Sequence, residues 1–421
     1  MEHNQTQRAV ERAARESYGR LLAFLASRSR DLAAAEDALA DAFRIALETW
    51  PRDGVPEKPE AWLMTAAKRR LGDQARRNRV HLEAAPGLIL AAEQAEELAS
   101  STVDFPDERL NLLFICAHPA IDAGARTPLM LQVVLGLDAA RIASAFLVQP
   151  ATMGQRLSRA KAKIRDAGIA FELPHARELP PRLDAVLEAI YAAYGSGWDD
   201  VAGADARRKG LATEAIELGR VLLALIGAEP EVLALLALML YCESRRGARR
   251  GDAGEYVPLS EQDVTRWSRT LIDEADALLQ AASRSGKLGR FQLEAAIQSV
   301  HTQRSVTRHT DWSAVALLYA ALVRFAPTLG AAVGRAAAVA EGEGPAVAWT
   351  LFEAIPEDAV ATYQPYWALR AHLLSRLDRR DEARVAYERA IGLCQDAAMR
   401  AFLLQRSAEI ASDPCAPRSD R

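Results

Sequence analysis

Through residues 8–82 apolar side chains recur at helical intervals, with Leu21, Leu22 and Leu25 in one run and Leu39, Phe43, Leu47 and Trp50 in the next. Such spacing places them on one face of an α-helix, so two amphipathic helices are expected. Asp31 stands just ahead of the second run, where its carboxylate suits an N-cap. The stretch WPRDGVPEKPE follows, and its three prolines and one glycine predict a turn. AWLMTAAKRRLGDQARRNR then predicts a third helix, apolar in its first half and basic in its second. Gly72 inside that helix costs about 1 kcal/mol relative to alanine.

A second helical group is expected over residues 108–170, in the segments ERLNLLFICAHPAI, ARTPLMLQVVLG, DAARIASAF and ATMGQRLSRAKAKIRDAG. LVQP joins the last two with the spacing of a helix-turn-helix, and Pro150 suits the first turn of the final helix. Met153, Leu157, Ala160 and Ile164 form its predicted buried stripe, while Arg156, Arg159 and Lys163 share a neighbouring face. Residues 83–107 between the two groups predict an acidic linker, with Glu93, Glu96, Glu97, Asp104 and Asp107.

From residue 171 to 421 the cationic blocks stop and paired amphipathic helices take over. Val315/Tyr319, Ala348/Phe352 and Ala383/Tyr387 repeat a small-to-aromatic step of four residues, at intervals of 33 and 35. Ala371, Leu374, Ala383, Tyr387 and Ala390 fall at tetratricopeptide positions, so this part is expected to be a tetratricopeptide-like (TPR-like) array. The repeat is faint before residue 300. The most apolar window, Val221 to Tyr241, is interrupted by Gly227, Glu229, Pro230 and Glu231, which predicts two buried helices in place of a membrane span.

At 421 residues the chain is long enough for two or three domains, and strand-like runs are almost missing, so an all-α fold is expected. The net charge of -4 conceals two basic blocks. Lys68, Arg69, Arg70, Arg76, Arg77 and Arg79 face one acid, Asp73, and residues 141–165 hold six basic residues and no acid. Two cationic helices on two small modules suggest two nucleic-acid contacts; an ordinary solvated charged face is the plainer alternative for each. Cys116, Cys242, Cys394 and Cys415 are isolated, and His118 beside Cys116 lacks further ligands. The seven histidines are dispersed, and no H-E-x-x-H, P-loop or nucleophile elbow is present. No enzymatic activity, cofactor, metal or membrane association is expected, and the polar N-terminus predicts a cytoplasmic protein.

Taken in order, the modules resemble the extracytoplasmic-function (ECF) branch of bacterial RNA polymerase sigma factors, in the sigma-70 family. AAEDALADAFRIALETW resembles the region 2 helix that docks on the polymerase clamp, PEAWLMTAAKRRLGDQARRNR the part that melts and reads the -10 element, and GLDAARIASAFLVQPATMGQRLSRAKAKIR the region 4 helix-turn-helix that reads the -35 element. The resemblance implies a region 2 module over 1–82, a linker over 83–107, a region 4 module over 108–170, and a TPR-like regulatory extension over 171–421. It implies core RNA polymerase as a partner through Glu36, Asp37, Asp41 and Arg44. Promoter DNA would meet Trp62, Lys68, Arg69, Arg70, Asp73, Arg76 and Arg77 at the -10 element. At the -35 element the implied contacts are Thr152, Gln155, Arg156, Ser158, Arg159, Lys161 and Lys163, with the arginines suited to guanine and the lysines to phosphate. A further protein partner is expected on the extension.

The chain departs from the family pattern at Gly72, Arg69, Gly154 and Arg141, and at YAAYGSGW, where an acidic turn is usual. Two other readings fit parts of the sequence. One is a helix-turn-helix regulator that binds an operator, which has no use for a clamp-like helix. The other is a repeat-domain scaffold for protein interaction whose sigma modules have decayed, a reading that rests on Gly72 and Gly154.

Overall fold

The computed structural model describes residues 2–79, 107–146, 148–175, 177–198, 211–356, 360–394 and 396–412. Among them the regular elements are helices, as the composition predicts, with one isolated antiparallel bridge between Arg250 and Tyr256. The acidic linker expected over 83–107 lies almost wholly outside the described residues. Two compact units divide the chain: Met1–Gly197 with Gly210–Leu218, and Trp198–Lys209 with Gly219–Arg421.

The first unit opens with α1 (Glu2–Ser29), α2 (Leu32–Asp53) and α3 (Pro59–Arg79). Their shared core contains Leu21, Leu22, Leu25, Leu39, Ala42, Ala46, Leu63 and Ala67. Asp31 caps α2 as expected, its carboxylate accepting the Ala34 N–H at 3.1 Å. The turn after α2 begins later than the prolines suggest, because the helix runs through Pro51 and stops at Gly54, whose φ is 85°. Leu47 departs from its expected place in the core and is 47% exposed. Steps of four residues drift by about 40° each on a 3.6-residue helix. Leu47 has therefore rotated well away from Leu39, while Ala46 and Trp50 return to the buried side.

Next come α4 (Arg109–Cys116), α5 (Ala123–Leu135), α6 (Ala139–Ala145) and α7 (Pro150–Asp166). The first is shorter than ERLNLLFICAHPAI suggests. The helix ends at Cys116, and the chain turns through His118, whose Nδ1 accepts the Ala120 N–H at 3.1 Å. Pro119 lacks the N–H needed to continue. In α7, Pro150 occupies the first turn and Met153, Leu157, Ala160 and Ile164 are buried, as the pattern predicts. α8 (Leu179–Trp198) packs on α5, where the buried Thr127 hydroxyl donates to the Ala189 carbonyl at 3.0 Å.

The first and second modules meet across α1. Gly19 on α1 lies so close to α5 that a Cβ there would stand 2.0 Å from the Val134 carbonyl oxygen. One residue earlier, the Tyr18 ring stacks on Phe43 of α2 with centroids 6.4 Å apart. The same ring covers Gly136, the left-handed C-cap of α5, where a Cβ would approach within 2.8 Å. Only glycine permits both approaches.

α9 (Leu211–Ile226) spans the division between units, and α10 (Pro230–Ser244) follows after Gly227, at φ 82°. The apolar window thus folds as two helices, and among the described residues no helix is long and apolar enough to cross a membrane. The second unit continues through α11 (Arg269–Ser283), α12 (Arg290–Thr302), α13 (Arg304–Thr307), α14 (Trp312–Phe325), α15 (Leu329–Gly342), α16 (Pro345–Glu353), α17 (Gln364–Arg376), α18 (Arg380–Leu393) and α19 (Ala397–Ser412). The small-to-aromatic pairs fall on α14, α16 and α18, with Val315, Ala348, Phe352, Ala383 and Tyr387 buried. Tyr319 is half-buried over Gly334 of α15, where a Cβ would meet the ring at 2.5 Å.

His301 on α12 lies edge-on to Trp312 with centroids 5.5 Å apart. Burial, with Arg245 and Arg304 adding repulsion, lowers its pKa from 6.5 to about 3. The unfolded chain therefore takes up a proton that the folded chain refuses, so this contribution is intact above pH 6.5 and is lost as pH falls toward 3. His301→Gln should remove about 1–2 kcal/mol of the stability loss between pH 7 and 5, measured by urea unfolding of the full chain. An unchanged pH slope would contradict the burial argument.

Candidate nucleic-acid interface

The basic half of α3 does not present one uniform face. Trp62 is half-buried, its ring edge-on to Trp50 of α2 with centroids 5.4 Å apart. Lys68 lies with its ammonium 5.1 Å from the Phe24 ring centroid, a ring that Arg28 also approaches at 4.7 Å. Burial, with repulsion from Arg28, lowers the Lys68 pKa. Arg69 and Asp73 are exposed. Arg70 instead turns to α2, its Nε 3.3 Å from the Asp41 carboxylate. Arg76 and Arg77 are on the last turns of α3, and their side chains are outside the described ones.

Along α2 the candidates divide by exposure. Asp37 is exposed, and Arg44 extends along the surface to Asp41 at 3.5 Å and Glu48 at 2.7 Å. Such exposed pairs contribute little stability, so they leave these side chains available to a partner. Glu36 differs. Its carboxylate lies 2.5 Å from the Lys161 ammonium of α7, and the two side chains are 12% and 14% exposed. Burial raises the Glu36 pKa although Lys161 pulls it down. The Tyr18 hydroxyl is pushed well above its ordinary value by burial and by Glu36.

On α7, Thr152, Gln155, Ser158, Arg159 and Lys163 are exposed. Arg156 is half-buried, with Nη1 3.4 Å from the Gly124 carbonyl. Ala151, Gly154, Gln155, Ser158 and Arg159 line a shallow, open concavity of about 590 Å³ on this side of the helix. The structure therefore gathers most of the expected contact residues of α7 on one accessible surface and turns Lys161 away from it, toward α2. Gly19, Tyr18 and Gly136, which hold the two modules together, were not among the candidates. The isolated glycine in SYGRLL, inside an apolar helical run, is the signal that points to such a close approach.

Residues 14–80, which comprise most of α1 with α2 and α3, match sigma-70 region 2, so the chain carries a region 2 module of the sigma-70 type. Residues 182–283 match a family of unknown function (DUF6596). An uncharacterized protein of Rhizobium meliloti (strain 1021) is 38% identical over 389 residues, spanning 91% of this chain and 92% of its own length. The chain belongs to one family with that protein. No solved structure matches the chain.

Gly154 remains helical, and a Cβ at that position would meet no atom within 4 Å. Gly154→Ala should therefore stabilise the chain by about 0.5–1 kcal/mol through lower unfolded-state entropy and higher helix propensity. Chemical unfolding of the two proteins checks this. A loss of stability would mean that the position is constrained in a way its open surroundings do not reveal.

Proposed function

We propose that the chain is an ECF-type sigma factor, a non-enzymatic subunit that directs core RNA polymerase to promoters. The observation that carries this reading is the sigma-70 region 2 match over residues 14–80, which coincides with the three-helix module bearing both the α2 surface and the Trp62-to-Arg77 segment. In this reading Asp37, Asp41 and Arg44, with Glu36, contact the polymerase. Trp62 receives or supports an unstacked base, and Lys68, Arg69, Arg70, Asp73, Arg76 and Arg77 line the path of the -10 strand.

The helix-turn-helix assignment for α6 and α7 is supported by the four-residue connection, Pro150 at the first turn and the polar exposed side of α7. Arg156 and Arg159 suit guanine edges, and Lys163 suits a phosphate. Thr152, Gln155 and Ser158 stand beside them with donors and acceptors for bases or backbone. The extension acts as a TPR-like regulatory domain with a protein partner, supported by the small-to-aromatic pairs on α14, α16 and α18, all buried except the half-buried Tyr319. Cytoplasmic action follows from the proposed partners.

A reconstituted transcription assay with purified core polymerase tests the reading. Promoter-dependent initiation is expected, and failure both to bind core and to initiate would exclude it. Within that assay, Arg159→Ala should weaken -35 DNA binding about tenfold or more if it reads a base, at 1–3 kcal/mol per bidentate pair. Lys163→Ala should weaken binding to all sequences alike and reduce the salt slope by about 1.

A further inference from the structure

We infer that the free chain is latched at one point of the α2 surface, where α7 covers Glu36 and the Glu36–Lys161 pair is the latch, while Asp37 and Arg44 stay exposed. The inference rests on the proposed roles of α2 and α7, but the latch itself is defined by geometry alone. Glu36 belongs to the helix expected to meet polymerase, and Lys161 to the helix expected to meet DNA. Each is the other's partner at 2.5 Å, and neither is more than 14% exposed. While they are joined, neither charge is available outside the unit.

The helical geometry of α7 gives the pair its meaning. On a 100° wheel Lys161 flanks the buried stripe of Met153, Leu157, Ala160 and Ile164 on one side, and Arg156, Arg159 and Lys163 flank it on the other. One helix thus offers Lys161 to α2 while Arg156, Arg159 and Lys163 stay on the other flank. A partner that takes the α2 surface must replace an ammonium at Glu36, so its chemistry at that point is basic. Removing only one member of a buried pair leaves an uncompensated charge. The latch is therefore expected to yield to exchange of partners more readily than to simple separation.

Two further contacts hold the modules in this arrangement. Gly19 lies against the Val134 backbone, and Tyr18 covers Gly136 while lying in the electrostatic field of Glu36. Cys116, at the end of α4, supplies a native reporter. It is fully buried, and its thiol is pushed up first by burial and then by Glu36, with Lys161 opposing. The groups facing the latch are thus Tyr18, Asp37, Cys116 and the pair itself.

The test uses the full chain and needs neither polymerase nor DNA. Carbodiimide should couple Glu36 to Lys161 in the free protein, detected as a cross-linked peptide by mass spectrometry. Gly19→Val should abolish that cross-link by forcing α1 from α5. Lys161→Glu should speed maleimide labelling of Cys116 at least tenfold, and the exchange Glu36→Lys with Lys161→Glu should return it toward the starting rate. If Gly19→Val loses its helical circular dichroism, the labelling series with the exchanged pair decides. Absence of the wild-type cross-link, or equal Cys116 labelling in Lys161→Glu and wild type, would overturn the latch. Adding core polymerase should then reduce cross-link yield. Failure of polymerase to bind at all would count against the sigma-factor reading and leave the cross-link in the free chain intact.

Discussion

The crossing of α1 and α5 at Gly19 is the constraint on which the first unit depends. With a Cβ placed 2.0 Å from a backbone oxygen, no side chain larger than hydrogen can stand there without moving a helix. The consequence is that α1 serves two cores. Leu21, Leu22 and Leu25 fill the bundle with α2 and α3, while Gly19 and Tyr18 receive α5 and its C-cap. Two groups of helices separated in sequence by residues 83–107 thereby share a wall. Packing of this kind is close and intolerant of added volume, so it fixes the position of α7 relative to α2.

That fixed position decides the electrostatics. A basic helix on an acidic protein has two ways to keep its charges hydrated or paired, and α7 uses both. Arg159 and Lys163 remain in solvent, where isolated charges cost little. Lys161 is brought against Glu36, where burial alone would disfavour either charge and their proximity offsets it. A buried pair of this type is weak evidence for stability, because desolvation opposes the attraction. The α3 cations divide in the same manner, with Arg70 drawn to Asp41 and Arg69 left in solvent.

Much of this was legible in the sequence because it depends on local periodicity. Asp31 as a cap, Pro150 in a first turn, the four buried residues of α7 and the break at Gly227 all follow from residues within a few positions of one another. Leu47 shows where a coarse four-residue count fails, since the drift of the helix carries it outward and leaves Ala46 and Trp50 inside. CAHPAI fails for a different reason: its apolar residues continue the pattern, but Pro119 ends the hydrogen-bonding. The side on which Lys161 lies was also readable from a helical wheel. Its partner was not, because Glu36 is distant in sequence and ordinary in its local context. The same holds for Gly19, whose requirement comes from a backbone that arrives from another module.

The boundary between the sigma-like part and the extension is a question of packing more than of composition. The cationic blocks end near residue 170, yet α8 lies in the first unit, and its Ala189 carbonyl satisfies the buried Thr127 hydroxyl of α5. Without that acceptor a buried donor on α5 would be stranded, at a cost of about 1–3 kcal/mol. The segment matching a family of unknown function begins at residue 182, within α8, and ends at 283, within the second unit. A family segment that starts in one unit and finishes in the other is not a detachable tail. The Rhizobium relative, which aligns over 91% of the chain, spans both units as well. The first unit is therefore incomplete without residues that composition alone assigns to the extension.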